Sequence, residues 1–205
     1  MSTDPRPQLT DLQIADPAER WEALGFAVEE GETDVGGVRL SLNAPGDGIT
    51  GWSIQGIPPT DGIDGLPTAT ATQPSAPKDT THPNGATGLD HVVITTPDFD
   101  RTARALDEHG LALRRIRDAG NFRQGFRRLG PAILELVENT SAAPSDPARF
   151  WGLVIIVDDL EALASRIAPH LSAPKTAVQP GRRIATLRPT AGLSPAVAFM
   201  TPEPD

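Results

Sequence analysis

Two ionisable side chains lie in apolar runs that would place them on neighbouring β-strands. His91 lies in LDHVVI and Glu135 lies in AILELVE. Side chains alternate between the two faces of a strand, so His91 shares a face with Val93, and Glu135 shares one with Ile133. A carboxylate beside an imidazole orients the ring and can pass a proton. His91 and Glu135 are therefore the candidate catalytic pair; the alternative is a buried structural histidine hydrogen-bonded to Glu135.

A second copy of the same pattern bears on whether a metal binds. The segment GLVIIVDDLEAL repeats the run around His91, placing Gly152 at the position of His91 and Ala198 at that of Glu135. Residues 150–157 and 193–201 contain no His, Asp, Glu or Gln. A catalytic divalent ion normally takes three or more protein ligands. The sequence predicts no cofactor; a metal bound here would use His91 and Glu135 with a further ligand from outside the motif.

Arginines follow glycine in three similar strand-like runs, GVRLSL, GFRRLG and GRRIAT. A guanidinium group presents a fork of donors that suits a carboxylate or phosphate. Trp151, at the start of the second copy, could stack on a flat ligand. The candidate ligand-binding residues are Arg123, Arg127, Arg183 and Trp151. The alternatives are arginines paired with the many acidic residues and a tryptophan that only packs.

The elements that would position these residues repeat along the chain. Each copy reads as a β-branched strand, an Asp helix N-cap (Asp98 and Asp159) and an amphipathic helix. Three strand-like runs follow each helix. The sequence therefore predicts two β-α-β-β-β modules, over residues 88–138 and 150–201, within a paired region 88–205.

The N-terminal part, residues 1–58, reads as a weaker unit of the same kind, with Asp16 as the cap of its helix. Residues 59–87 are rich in Pro, Thr and Ala, which predicts a linker. Three units are an odd number for an architecture built from pairs. The unpaired N-terminal module therefore predicts a homodimer that forms through it. The alternative is that it covers the open side of the two paired modules in its own chain.

The two modules opened by LDHVVI and GLVIIVDDLEAL resemble the vicinal oxygen chelate superfamily, which includes glyoxalase I, bleomycin resistance proteins and extradiol dioxygenases. The resemblance implies an α+β fold in which repeated β-α-β-β-β modules, with curved mixed sheets, form an open cup around a ligand. Metal-dependent members place ligands on the first and last strands of each module. His91 and Glu135 occupy these positions in the first module, and the second module departs from the pattern.

Composition excludes several classes of function. The 205-residue chain carries a net charge of −9, which argues against nucleic acid as a partner. It has no cysteine, no apolar run long enough to span a membrane and no secretory signal pattern. We expect a cytoplasmic protein with neither a membrane nor a nucleic-acid partner.

The function predicted from these observations is the binding of a small polar or anionic molecule in the cup, without a complete metal site. This is the mode of the metal-free relatives that the chain resembles. One alternative is a metal-dependent lyase, isomerase or dioxygenase that uses His91 and Glu135. Another is a non-catalytic structural or regulatory subunit, so enzyme activity is left open.

Overall fold

A computed structural model describes residues 6–73 and 80–204. These residues form fourteen strands and three α-helices. In chain order the elements are β1 Gln8–Ile14, α1 Ala18–Ala23, β2 Glu32–Val35, β3 Val38–Ser41, β4 Ile49–Gln55, β5 Gly62–Ile63, β6 Leu66–Ala71, β7 Ala86–Thr96, α2 Phe99–Glu108, β8 Arg115–Asp118, β9 Arg123–Leu129, β10 Ala132–Glu138, β11 Arg149–Val157, α3 Leu160–Arg166, β12 Lys175–Thr176, β13 Arg183–Thr186 and β14 Ala196–Met200. A short 3-10 helix, Pro189–Ala191, precedes β14.

The C-terminal sheet has eight strands in the order β12-β13-β14-β11-β7-β10-β9-β8. Within each module the first strand is parallel to the last, β7 to β10 and β11 to β14. The two modules join where β7 and β11 pair antiparallel. The predicted α+β class, with repeated β-α-β-β-β modules and mixed sheets, is confirmed by this topology. The arrangement of the modules in this sheet is also the one that the resemblance implies.

The helices of these modules begin where the sequence predicts. The Asp98 carboxylate accepts a hydrogen bond from the backbone N–H of Arg101 at 3.0 Å, and Asp159 accepts from Ala162 at 2.9 Å. Each bond satisfies one of the free N–H groups of the first helical turn. Both helices therefore start at equivalent points of the repeat and pack against the sheet through buried residues such as Phe99 and Leu160.

The N-terminal sheet differs from the predicted single unit followed by a linker. Its six strands have the order β2-β3-β1-β4-β6-β5, so β4 begins a second, shortened unit that the sequence did not indicate. β4 is parallel to β6 and antiparallel to β1, which repeats the central pairing of the larger sheet without a helix. Residues 62–63 and 66–71 of the predicted linker are therefore strands.

Buried contacts explain why this Pro- and Thr-rich segment is ordered. In β6, Leu66 and Thr68 alternate with exposed residues, and the Trp52 indole N–H donates to Thr68 Oγ1 at 2.7 Å. Further along, His82 is buried; its Nδ1 accepts from the Ala27 N–H at 3.1 Å and its Nε2 donates to the Asp34 carbonyl at 2.7 Å. Residues 74–79 of the predicted linker lie outside the described residues.

The predicted homodimer rested on an unpaired N-terminal unit, and that premise is wrong. The shortened unit β4–β6 pairs with β1–β3 inside the same chain. Among the described residues, the large hydrophobic side chains that are exposed are Ile116, Trp151 and Val178, none of them in the N-terminal sheet. In the described residues, the N-terminal sheet therefore offers no large exposed hydrophobic side chain for a second copy to cover.

The two sheets share one hydrophobic core and are joined by polar bonds. Phe26 stacks on Phe199 with ring centroids 6.3 Å apart. Asp64, in the turn between β5 and β6, accepts from Arg101 Nε at 2.8 Å. Asp16 does not cap α1 as predicted; its carboxylate accepts from the N–H of Ser194 at 3.0 Å. This contact between the N-terminal and C-terminal parts of the chain occupies the carboxylate oxygens that would otherwise cap α1.

None of the helices in residues 6–73 and 80–204 is long and apolar enough to cross a membrane.

Candidate functional site

A cup of about 770 Å³ opens on one face of the eight-stranded sheet. Both modules and the turn between β12 and β13 contribute to its wall. Its apolar lining includes Phe126, Ile133, Val154, Ile184 and Met200. Its polar and charged lining includes Asp90, His91, Arg115, Arg117, Gln124, Glu135, Lys175, Gln179, Arg182 and Glu203.

His91 and Glu135 both line this cup, on the face that strand alternation predicts. In the parallel pair β7–β10, His91 lies beside Ile133 and Glu135 beside Val93, so the two side chains are offset along one face. The hydrogen bond expected between them is not formed. Glu135 Oε1 instead accepts from Gln124 Nε2 at 2.7 Å, and His91 Nδ1 faces the carboxylate of Asp90.

Asp90 reaches the cup because β7 contains a bulge. Val154 pairs with His91 and the next residue of β11 pairs with Leu89, which leaves Asp90 as the extra residue. A bulge breaks the alternation of side chains and re-aims the extra one. Both Asp90 and His91 therefore line the cup, although they are adjacent in sequence.

Arg182 completes a buried chain of three ionisable groups. It precedes β13 and is 4% exposed, and Asp90 is 8% exposed. Arg182 Nη1 donates to Asp90 Oδ1 at 2.7 Å, and its Nε donates to the Thr201 carbonyl at 2.7 Å. Asp90 thus binds the guanidinium group through one oxygen, and its other oxygen faces His91 Nδ1. His91 lines the cup, and its Nε2 forms no hydrogen bond to another described residue.

The pKa values of the two cup carboxyl groups shift in opposite directions. Burial alone would raise the pKa of Asp90, but hydrogen bonds and charge from His91 and Arg182 outweigh burial and lower it. Burial raises the pKa of Glu135, and the nearby His91, Gln124 and Arg117 only partly offset this effect. Asp90 is therefore held as a carboxylate, whereas Glu135 is biased towards accepting a proton.

The strand register tests the repeat that relates the two modules. His91 lies beside Ile133 in the first module, and Gly152 lies beside Ala196 in the second. Two residues further along the last strands, Glu135 corresponds to Ala198, as the sequence comparison predicts. A Cβ atom on Gly152 would lie 2.0 Å from the Ala196 carbonyl oxygen. The backbone therefore excludes any side chain where the second module would carry a ligand.

The donor set does not fit a divalent metal. Among residues 6–73 and 80–204, no group of three or more His, Cys, Asp or Glu side chains is placed to hold one. Asp90, the third acceptor near His91 and Glu135, is already bound to Arg182. The guanidinium charge beside the pair would also oppose a bound cation. The metal-dependent alternative therefore lacks a third ligand among the described residues.

The four candidate ligand-binding residues lie outside the cup lining. Arg123 faces the helix side, where it pairs with Asp100 at 2.8 Å and Glu138 at 3.0 Å. Arg127 shares that side of β9 and donates to backbone carbonyls after α2. Arg183 turns to Glu161 of α3. Trp151 is the extra residue of a second bulge and is 55% exposed.

Sequence reasoning missed Asp90, Gln124, Arg117 and Arg182. Arg182 stands directly before the candidate Arg183 in the run GRRIAT, and strand alternation between these two residues decides which one turns to the cup. Gln124 alternates with Arg123 in the same way on β9. No feature of the sequence indicated that Asp90 lines the cup, because alternation from His91 would have placed it on the opposite face of the strand.

No protein-family profile and no curated protein matches the chain. Several solved structures resemble it in part. Methylmalonyl-CoA epimerase from Mycobacterium tuberculosis has a TM-score of 0.48 and 20% identity, over 58% of this chain and 91% of that protein. A variant of methylmalonyl-CoA epimerase from Streptomyces coelicolor, in complex with 2-nitronate-propionyl-CoA, has a TM-score of 0.46 and 18% identity, over 58% and 96%. A hypothetical protein from Bacillus halodurans has a TM-score of 0.45 and 17% identity, over 57% and 95%. Similarity at this level carries no activity or residue role to this chain.

Proposed function

We propose that the cup binds a small organic acid, with an apolar body and a carboxylate, without a metal. The observation that carries the proposal is the chain Arg182–Asp90–His91 buried in the wall of an open cup of about 770 Å³. Burying charged groups seldom increases stability over apolar packing. A concave pocket with few convergent polar groups is the usual form of a small-molecule site.

The charges around the cup favour an anion. Asp90 is neutralised by Arg182, so the remaining cations are Arg115, Arg117 and Lys175. Glu135 and Glu203 oppose them, and burial biases Glu135 towards its neutral form. The balance is positive in a chain whose net charge is −9. A carboxylate entering the cup would therefore meet a favourable local field.

The apolar residues of the lining favour a ligand with a hydrocarbon or aromatic portion. Phe126, Ile133, Val154 and Met200 come from four strands that cross the cup. They would contact the body of the ligand while its carboxylate meets the charged residues of β8 and β12. This division gives the ligand one preferred orientation.

Ligand-observed NMR with alkyl and aryl carboxylates tests the proposal. We expect a carboxylate to bind at least about tenfold more tightly than its own amide, since the amide lacks the charge. Arg117→Gln, which removes a cation from the cup, should weaken binding by a similar factor, while the control Arg183→Gln should not. Equal binding of acid and amide would contradict the proposed recognition of a carboxylate, and no binding of either would favour a structural or regulatory subunit.

A second candidate function is proton transfer on a bound oxo acid. One observation favours it: burial raises the pKa of Glu135 in the same cup as an imidazole oriented by Asp90. Glu135 would take a proton from the carbon next to the ketone and return it, with no other bond broken. A base whose pKa lies closer to neutrality than usual suits this step.

Proton NMR of a 2-oxo acid in D₂O measures this reaction as loss of the C3 proton signal. We expect the protein to accelerate exchange, and Glu135→Gln to reduce the acceleration by about 10²-fold or more. Gln keeps an oxygen that can accept from Gln124, so the pocket should be preserved. If the Glu135→Gln variant and the unchanged protein accelerated exchange equally, proton transfer by Glu135 would be ruled out and ligand binding would be the remaining function.

A further inference from the structure

A second concave site lies away from the cup and shares no lining residue with it. It is a groove of about 430 Å³ lined by Arg6, Pro7, Gln8, Arg114, Arg127, Arg128 and Gly130. Four of these residues are arginines and none carries a carboxylate. In a chain with a net charge of −9, such a lining departs sharply from the average surface. We name it the arginine groove.

Close backbone packing fixes the walls of the arginine groove. Gly130, in the turn between β9 and β10, has a φ of +66°, and a Cβ there would lie 2.6 Å from Gln8 Cγ. The turn therefore lies directly against the start of β1. On the other side, the Arg114 N–H donates to the Phe126 carbonyl at 2.8 Å, which holds the approach to β8 against β9. The arginines thus project from segments with a defined separation.

The groove arginines are poorly satisfied within the protein. Arg127 reaches the carbonyls of Ala112 and Gly110 only at 3.4 Å each, and Arg128 reaches Gly130 at 3.4 Å. These distances exceed the usual range for N–H···O bonds. The Nε of Arg127 is screened from solvent and has no hydrogen-bond partner among the described residues.

Several arginines elsewhere in the chain are paired with carboxylates. Arg101, Arg123 and Arg182 each meet an Asp or Glu oxygen at 2.7–2.8 Å. Within residues 6–73 and 80–204, none of the groove arginines takes part in an ion pair of this kind. Burial and the charge of Arg114 also lower the pKa of Arg127. Within the part of the chain that the structure describes, like charges are held together here without an anion, and a bound anion would relieve that repulsion.

We propose that the arginine groove binds the phosphate group of a small molecule. Guanidinium groups match phosphate geometry through paired N–H···O bonds, and several of them converge here on one space. The groove's volume falls within the range of small-molecule sites, which leaves room for the remainder of a phosphate ester. The inference is independent of the function proposed for the cup.

Isothermal titration at low ionic strength tests the arginine groove with two probes, inorganic phosphate and glycerol phosphate. The double variant Arg114→Gln/Arg128→Gln removes two exposed groove charges and should fold normally. We expect it to bind phosphate about tenfold more weakly or worse, in line with the loss of charge-assisted bonds. The control Arg104→Gln removes one exposed charge from α2, outside the groove, and should bind as the unchanged protein does.

The outcomes separate the possible sources of the phosphate group. Tighter binding of glycerol phosphate would assign the groove to phosphate esters, whereas equal or tighter binding of inorganic phosphate would assign it to the free ion. Chloride at matched ionic strength measures simple screening. The proposal is overturned if chloride reproduces the effect of phosphate, or if the double variant binds phosphate as tightly as Arg104→Gln.

Discussion

Arg182→Met is expected to lower the free energy of unfolding by about 3–5 kcal/mol at pH 7, the cost of leaving one member of a buried ion pair alone. The substitution keeps the apolar stem but removes the donor that Asp90 accepts at 2.7 Å. Asp90 is 8% exposed, so water cannot replace the lost partner fully. Urea unfolding monitored by tryptophan fluorescence measures the change.

The pH dependence of that loss follows from the pKa of Asp90. In the folded protein this pKa is lowered below the model-peptide value of 3.8. The ion pair therefore stabilises the fold fully above pH 3.8. This stabilisation is lost as the pH falls through the lower pKa that Asp90 has in the folded protein. The difference between Arg182→Met and the unchanged protein should be complete at neutral pH and should shrink in acid.

Two further variants make the result specific to the buried pair. Adding Asp90→Asn to Arg182→Met removes the stranded charge and should recover part of the lost stability. Arg183→Met removes the adjacent, exposed arginine, whose partner Glu161 is also exposed, and should cost less than about 0.5 kcal/mol. If Arg182→Met and Arg183→Met lowered the free energy of unfolding by the same small amount, the buried ion pair between Arg182 and Asp90 would not stabilise the fold.

Gly152→Ala is the other substitution with a large expected effect. A Cβ at this position would lie 2.0 Å from the Ala196 carbonyl oxygen and 2.8 Å from its carbonyl carbon. These are backbone atoms of the neighbouring strand β14, so no side-chain rotation relieves the overlap. We expect a loss of about 3 kcal/mol or more, at the upper end of the cost of overpacking.

The matched control is Gly88→Ala on β7, the strand that pairs with β11. Its added Cβ would meet Ile156 Cδ1 at 3.4 Å, the end of a flexible side chain. Thermal unfolding should show a large drop for Gly152→Ala and little change for Gly88→Ala. Similar midpoints would contradict the close approach of β11 and β14. Gly152→His should be at least as destabilising, so a second metal ligand cannot be added at this position.

The sequence was sufficient for the fold of the C-terminal half, because local signals agreed there. Asp98 and Asp159 mark the helix starts, and the apolar runs mark the strands around them. The N-terminal half was read less well. Residues 62–71 lack β-branched apolar runs, and their order comes from pairing with β4, a contact that no local pattern reports.

For the candidate site, alternation predicted the direction of His91 and Glu135 but not their partners. Asp90 enters the cup through a bulge, and a bulge breaks the rule from which the prediction was made. Arg182 immediately precedes β13 and lines the cup together with Ile184 and Thr186, but the sequence did not indicate which face of β13 lines the cup. Sequence reasoning thus located the cup and one wall of it. The buried chain Arg182–Asp90–His91, which crosses between the two modules, could not be predicted because its members come together only in the folded protein.

The difference between the two modules has a consequence for the shape of ligand that the cup accepts. One wall carries the imidazole and the carboxyl of the first module, and the facing wall carries the guanidinium of Arg182 and the ammonium of Lys175. A site with matching walls, related by the two-fold repeat of the modules, would offer a ligand two equivalent orientations. This cup presents unlike groups in a fixed arrangement, so a ligand that was turned end for end would meet different neighbours.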